Sequence, residues 1–382
     1  ETITSSEYLA DVDRIMLGQQ ADAVLTLNPS VNKWLNGENG WLERHDWDRY
    51  AMRPIVGLVD NPYAAKQLPL VVDIPRGHVA IFGASGWGKT NFIRSLIISL
   101  TATHSPDHLW TYILDLGGRN LVVLENLPHV GSVIIPDEEG YEERVEQLLR
   151  ELDDMVEKRK TLLSNSGEPD IYKYNNAYPD KAQQMVLVAI DNFLEFRETF
   201  GGGKDNVETV LDKFVDLARQ AKPYGIHFVI TANRFGELTN QLFNVFTERL
   251  TLKLTDPTEY RAIIGGQVSD IGEIPGRGYV KVGHLPLSFQ IALPLDLRRE
   301  GVEEAANEMR ELEQYAQNMT EYLETAVHTY KEPLKVDALP KSILFKQILA
   351  RQMGIHVNET FLDHMRTTAA QRWRDNLDPD QA

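Results

Sequence analysis

The stretch Gly83-Ala84-Ser85-Gly86-Trp87-Gly88-Lys89-Thr90 decides the fold. It fits the pattern GxxxxGK[ST] and stands between a strand-like run, Val79–Phe82, and helix-like sequence over Asn91–Leu100. Glycines let such a loop turn successive backbone N–H groups inward around a β-phosphate, while the helix behind presents its positive end. Lys89 is placed to reach the β- and γ-phosphates, and the Thr90 hydroxyl to ligate Mg²⁺. Gly83, Ala84, Ser85, Gly86, Trp87, Gly88, Lys89, Thr90 and the adjoining Asn91 form the candidate nucleotide-binding set, with ATP and Mg²⁺ as the expected cofactors.

A loop of this kind needs a second element, a buried strand ending in a carboxylate that completes the shell of the metal. Met185-Val186-Leu187-Val188-Ala189-Ile190-Asp191 supplies it about a hundred residues later, so Asp191 joins Thr90 on the metal side. The next position is Asn192. Active motors with this arrangement usually carry Glu or Asp there to orient and deprotonate the attacking water. An amide holds a water but cannot take its proton, and loss of a positioned base removes about 10²–10⁴ in rate. The expectation is tight nucleotide binding with slow hydrolysis, Asp191 and Asn192 being the catalytic positions. Glu195 and Glu198, one or two turns further on, could stand in for the base, but read more simply as solvated carboxylates on a helix face.

Outward from these motifs the texture is short β-branched runs alternating with amphipathic helices. Candidate strands are Leu70–Asp73, His78–Phe82, Trp110–Asp115, Val130–Ile135, Met185–Ile190, Ile226–Thr231 and Arg249–Leu254. Between Glu138 and Leu163, Val145, Leu148, Leu149, Leu152, Met155, Val156 and Leu162 recur at threes and fours, the mark of one buried helix face. Alternating strands and helices imply a mostly parallel sheet covered on both faces, an α/β RecA-like phosphate-loop fold with helical flanking linkers. Residues 1–53 read as an irregular N-terminal linker and 54–299 as the nucleotide-binding domain. A heptad stripe, Val302, Met309, Ala316, Leu323 and Tyr330, marks a helix over 300–332 expected to pack on its parent domain. Pro333 and Pro340 open a helical linker, 333–382, toward a following module.

Composition narrows the function. With 382 residues, 42% hydrophobic, the chain is long and apolar enough for real cores. No apolar run is long enough to cross a membrane. Against 56 Asp and Glu stand 39 Lys and Arg, a net charge of −17 that argues against a surface built to neutralise nucleic-acid phosphates. No cysteine is present, which excludes disulfides and thiolate chemistry and fits the cytoplasm. The chain begins at Glu1 and reads as a piece of something longer.

Further motifs carry a family likeness. Tyr112-Ile113-Leu114-Asp115-Leu116-Gly117-Gly118, Leu127-Pro128-His129-Val130, Gly225 through Arg234, and Pro275-Gly276-Arg277-Gly278 follow the phosphate loop in order; Gly57-Leu58-Val59-Asp60-Asn61-Pro62 and Gln67-Leu68-Pro69-Leu70 precede it. From about Pro54 to Pro294 the series resembles the FtsK/SpoIIIE-type ATPase modules of the type VII secretion family EccC/EssC. The likeness implies a cytoplasmic portion of a bacterial protein anchored in the plasma membrane, with ATPase modules in tandem, helping to export small helical proteins. The triplet Ile190-Asp191-Asn192 and the helix end Lys158-Arg159-Lys160 look most like a catalytically degenerate middle module.

Where active modules read ARxGRxxGxH, this chain reads Ala218-Arg219-Gln220-Ala221-Lys222-Pro223-Tyr224-Gly225-Ile226-His227, so Lys222 replaces the arginine that resembles a trans-acting finger. Lys lacks the bidentate fork that suits a γ-phosphate. Asn233 stands where related motors often carry Gln near that phosphate. His129 and His227 read as structural. Partners implied by the likeness are neighbouring ATPase modules of the same chain, other secretion-complex subunits, and helical substrates or linker segments in an apolar groove. Phe235, Leu238, Leu242, Phe243 and Phe246 could line that groove or serve the core. A DNA-pumping motor of the broader family and a non-hydrolysing, nucleotide-bound scaffold are the competing readings; the first calls for basic channel loops and a catalytic carboxylate, and neither is visible.

Overall fold

The computed structural model describes residues 29–42, 47–63, 65–202, 208–266, 268–269, 271–295, 304–327 and 329–336. The expectations for 1–28, for Val302 and for the helical sequence after Pro340 lie outside the described residues. The parallel runs behave as the sequence predicts: β3 (Val79–Phe82), β4 (Leu109–Asp115), β5 (Val130–Ile134), β6 (Met185–Asp191), β7 (Ile226–Ala232) and β8 (Glu248–Leu252) lie side by side in the order β8-β3-β7-β6-β4-β5. All of β3, β5, β6 and β7 is buried, because helices cover both faces; most of their side chains are accordingly apolar, and the buried polar ones include Ser132, His227, and Asp191 and Thr231 near the carboxyl ends of their strands. The alternation is visible within one strand. Met185, Leu187 and Ala189 enter one core, while Val186, Val188 and Ile190 enter the other.

The sheet continues where no strand was expected. β1 (Ile55–Asn61), β9 (Arg277–Val282) and β10 (Leu285–Ile291) extend it antiparallel beyond β8, and β2 closes the edge over Lys66–Val71 rather than Leu70–Asp73, giving ten strands ordered β2-β1-β10-β9-β8-β3-β7-β6-β4-β5 among the described residues. β2, β9 and β10 bury alternate residues at most, β1 buries Ile55, Val56, Gly57 and Val59, and Gly57, Pro69, Gly278 and Pro286 interrupt the apolar pattern of these strands.

Of the helices, α1 (Pro29–Leu35) and α2 (Trp47–Tyr50) precede the sheet, and α3 (Lys89–Thr103) follows the phosphate loop. α4 (Tyr141–Ser166) and α5 (Ile171–Ala177) lead to β6. α6 (Phe193–Phe200) and α7 (Val210–Gln220) lead to β7. α8 (Asn240–Val245) and α9 (Glu259–Ile264) flank β8, and α10 (Glu304–Tyr322) runs on into a wide turn at Leu323–Val327.

A buried helix must find partners for its last four carbonyls, and α3 finds all of them. His104 N–H bonds Leu100 O, the Trp41 and Trp34 indoles donate to Thr101 O and Ala102 O at 3.0 Å each, and Leu42 N–H reaches Thr103 O. From the other side, α10 lays Leu312, Tyr315, Ala316 and Met319 into the core, and Leu323 in the turn behind it is buried too, with Tyr315 OH donating to Ile98 O at 3.1 Å. Met309, a member of the heptad stripe, stays exposed.

Candidate nucleotide site

Because β3, β7, β6 and β4 are parallel and adjacent, the loops at their carboxyl ends converge on one cleft, the usual ligand position in such sheets. After Phe82 the chain turns through Gly86 (φ 82°) and Gly88 (φ 100°), left-handed conformations that glycine adopts without steric cost, and enters α3 at Lys89. The loop is tethered from below, Gly83 N–H to Ala232 O at 3.0 Å and Ala84 N–H to Lys253 O at 2.7 Å. Lys89 Nζ donates to Gly83 O at 2.7 Å and Ala84 O at 3.0 Å, so its ammonium sits folded over the mouth of the loop. Burial lowers its pKa, an effect that the negative charges of Asp191 and Glu237 oppose.

Facing it, Asp191 is held at both oxygens: Thr90 Oγ1 donates to Oδ2 at 2.7 Å and Thr231 Oγ1 to Oδ1 at 2.6 Å. Thr231 Oγ1 in turn accepts the Asn192 N–H at 2.8 Å. Asn192 adopts φ 67°, a left-handed conformation that Asn tolerates better than most residues. Its Nδ2 donates to Leu116 O at 3.3 Å, so a donor of the amide is spent on the protein. Gly117 allows this approach, since a Cβ there would stand 2.9 Å from Asp191 Oδ2.

Together these residues line a cleft of about 620 Å³ that includes Ala84, Ser85, Gly86, Gly88, Lys89, Thr90, Asp191, Asn192 and Asn233 of the sequence-predicted set. Gly83, Trp87 and Asn91 do not line it. Gly83 turns its carbonyl to Lys89; Trp87 leans sideways, with the Lys253 ammonium 4.8 Å from its ring and its carbonyl accepting Gly276 N–H at 3.1 Å. Lys222 is elsewhere, because it follows α7 and precedes β7 and therefore lies at the amino ends of the strands, Nζ donating to Arg76 O at 3.0 Å. Glu195 and Glu198 also lie outside the cleft lining.

Sequence reasoning missed Thr231, Gly117, Asn120 and Thr255, which complete the lining. Thr231 had a signal, a hydroxyl at the end of a strand neighbouring the Asp191 strand; Asn120 had none. It also missed Glu237, 2% exposed, whose Oε2 accepts the Asn233 N–H at 2.7 Å and fixes that residue at the cleft.

The donor set fits a nucleotide carrying its metal. A hydroxyl and a carboxylate opposed at 2.7 Å suit Mg²⁺, which takes few protein ligands and fills its shell with phosphate oxygens and water. Among the described residues no group of three His, Asp or Glu could hold a metal without the nucleotide. The two histidines read as structural are buried: His129 Nε2 lies 2.7 Å from His104 O and His227 Nε2 is 2.8 Å from Tyr172 OH. Leu238, Leu242 and Phe246 are core residues. Phe235 and Phe243 are half-buried and meet edge-on at 4.8 Å, with the Arg249 guanidinium over the Phe243 ring.

The sequence profile of the FtsK/SpoIIIE family matches residues 43–285. An ESX secretion system protein EccC of Thermomonospora curvata is 29% identical over 313 residues, 80% of this chain but 21% of that protein. The type VII secretion system protein EssC of Staphylococcus aureus is 26% identical over 63% of this chain and 16% of its own length. The chain thus spans about a fifth or less of these relatives. Among solved structures, ATPases 2 and 3 of Geobacillus thermodenitrificans EssC superpose with a TM-score of 0.66 at 26% identity, covering 79% of this chain and 54% of that one. ATPases 2 and 3 of Thermomonospora curvata EccC, in complex with a signal sequence peptide, give 0.63 at 25% identity over 82% and 53%.

Proposed function

The chain belongs to the FtsK/SpoIIIE family, and from that premise we propose that it is a cytoplasmic ATP-binding module of a type VII secretion ATPase, one that binds Mg·ATP tightly and hydrolyses it slowly. The observation that carries this reading is the opposition of Lys89 and Thr90 to a doubly held Asp191, followed by Asn192 where a proton acceptor is expected. A bound Mg²⁺, held on the protein side by Thr90 and Asp191, would supply neutralisation of phosphate charge. The chain's own residues do the rest. The loop N–H groups and Lys89 bind the phosphates, Thr90 and Asp191 face the metal, and Asn233, fixed by Glu237, stands at the cleft to report on the γ-phosphate. Asn192 can hold a water through its carbonyl oxygen but cannot remove its proton, and Lys222, remote from this cleft, is left to face a neighbouring module.

In this reading 54–299 is the nucleotide-binding domain, 1–53 an N-terminal linker, 300–332 an amphipathic helix packed on the domain, and 333–382 a helical linker toward a following module. The tandem ATPases 2 and 3 of the related EssC and EccC structures support that arrangement. The degenerate site supports a middle position. The signal peptide bound to the related protein supports a helical export signal or linker segment as partner. Among the described residues no helix is long and apolar enough to cross a membrane.

The test is to mix the chain with Mg·ATP, isolate the complex and follow the ratio of bound ATP to ADP over an hour. Persisting ATP supports the proposal. Rapid conversion to ADP means another group activates the water, with Glu195 the first suspect, and overturns the slow module. Strong, salt-dependent DNA binding would instead favour a DNA motor.

A further inference from the structure

The loop joining β4 to β5 presents a side chain to the cleft that no motif predicted. Asn120 lines it, and the peptide unit between Asn120 and Leu121 is clamped from both sides. The Asn120 carbonyl accepts two bonds from the Arg94 guanidinium, 3.0 Å from Nε and 2.5 Å from Nη2. The Leu121 N–H donates to Asp115 Oδ2 at 2.6 Å, and Asp115 is fully buried. On the way to that peptide the chain passes through two left-handed residues, Gly118 at φ 129° and Arg119 at φ 62°. A non-glycine residue held there costs about 1 kcal/mol or more, and the clamp offsets that cost.

The clamp lies on the metal side of the cleft. Arg94 is one helical turn beyond Thr90 on α3, hence on the same face. Asp115 is the register partner of Asp191 across β4 and β6. Asn120, whose peptide is held between them, lines the same cleft as Thr90 and Asp191. Arg94 has a third partner: Nη1 donates to Glu308 Oε1 on α10 at 2.8 Å, in a pair whose side chains are both less than a fifth exposed. One guanidinium thus spans the cleft loop and the C-terminal helix, and bonds of this charge-assisted, forked kind fix geometry more tightly than neutral ones.

We propose that Asn120 is a further contact of the nucleotide and its metal on the metal side of the cleft, and that Arg94 is its positioning residue, shared with α10 through Glu308. The inference rests on the nucleotide-binding reading above. In it, the amide of Asn120 hydrogen-bonds a water of the metal's shell, and α10, through Glu308 and Arg94, sets where that amide stands.

The experiment titrates the chain with a fluorescent ADP analogue in Mg²⁺ and again in EDTA. Asn120→Ala is expected to weaken binding about tenfold in Mg²⁺ and less than twofold in EDTA. Arg94→Ala is expected to reproduce that split, and Glu308→Gln, which keeps size and polarity at a partly exposed site, to show about a third of the loss. Wild-type affinity for Asn120→Ala in Mg²⁺, or an equal loss in both buffers, overturns the contact. A normal Arg94→Ala overturns the positioning role, and a normal Glu308→Gln removes the helix from it. Should Arg94→Ala fail to fold, as a circular dichroism melt will show, Arg94→Lys serves, since it keeps the charge and loses the fork. If the wild type binds no nucleotide in either buffer, the reading of the site falls first; if the wild type binds and the variants bind just as well, this inference falls alone.

Discussion

The two halves of the sheet divide the labour of the molecule. The parallel half holds Asp191, Thr231 and the phosphate loop at the carboxyl ends of strands buried on both faces. None of the cleft residues comes from the antiparallel strands β1, β2, β9 and β10, yet their approach braces the loop: Gly276 N–H bonds Trp87 O, and Ile291 N–H bonds Gly276 O. Chemistry gathers where parallel strands end together. Support is supplied by close backbone packing where strands turn back.

The comparison can be broken by acid. His78 and His129 are fully buried and His104 partly so, and desolvation lowers their pKa values to about 4, 3 and 4. For groups whose folded pKa is depressed below the unfolded value of 6.5, the unfolded chain binds more protons in between. Stability is then complete above pH 6.5 and lost as the pH falls toward 4. We expect about 2 kcal/mol lost at each by pH 5, read as a falling melting temperature, with exchange protection of the parallel strands lost first. A flat profile from pH 7 to 5 would count against neutral, buried histidines.

Gly278→Ala attacks the other half. A Cβ there would stand 2.0 Å from Thr251 O, a backbone atom that cannot step aside, so we expect about 3 kcal/mol of destabilisation. Lys89→Ala should do the reverse, leaving the melt of the free protein within a few degrees while nucleotide affinity drops about a hundredfold, about 2.7 kcal/mol. Intact binding would remove the phosphate-loop assignment. The smallest effect is expected for Thr231→Val, which keeps the shape but strips Asp191 Oδ1 of its donor and leaves the Asn192 N–H unpaired. Nucleotide affinity in Mg²⁺ should fall five- to tenfold, with about 1–2 kcal/mol of stability lost; an unchanged affinity would mean that Thr90 alone orients the carboxylate.

The same division explains what the sequence could disclose. Strands buried on both faces are continuous apolar runs, so β3, β4, β6 and β7 were legible, and the phosphate loop was legible because its function is written in eight consecutive residues. β9 and β10 were not, since Gly278, Pro286 and the exposed Val282 and Leu285 leave no pattern without their neighbours. Within the site, Asp191 followed from the logic of the loop. Thr231 and Asn120 did not, because their place depends on strand order, which sets β7 and β4 on either side of β6. Lys222 was assigned to catalysis by likeness, and the fold carries it to the far end of the same strands.

The carbonyl ends of α3 carry a consequence for how the chain is made. The helix behind the phosphate loop is closed by Trp34 and Trp41 from one end of the chain and by Tyr315 from the other, and Asn318 Nδ2 ties the set together by donating to Trp34 O at 2.6 Å, across 284 residues. On the ribosome the tryptophans emerge long before their last partners, and loop closure over such a span is slow. During that interval the phosphate loop can form while its helix still lacks part of its cover. A nascent chain therefore passes through a window, closing only after Tyr315 and Asn318 emerge, in which the carbonyl half of that helix lacks part of its cover.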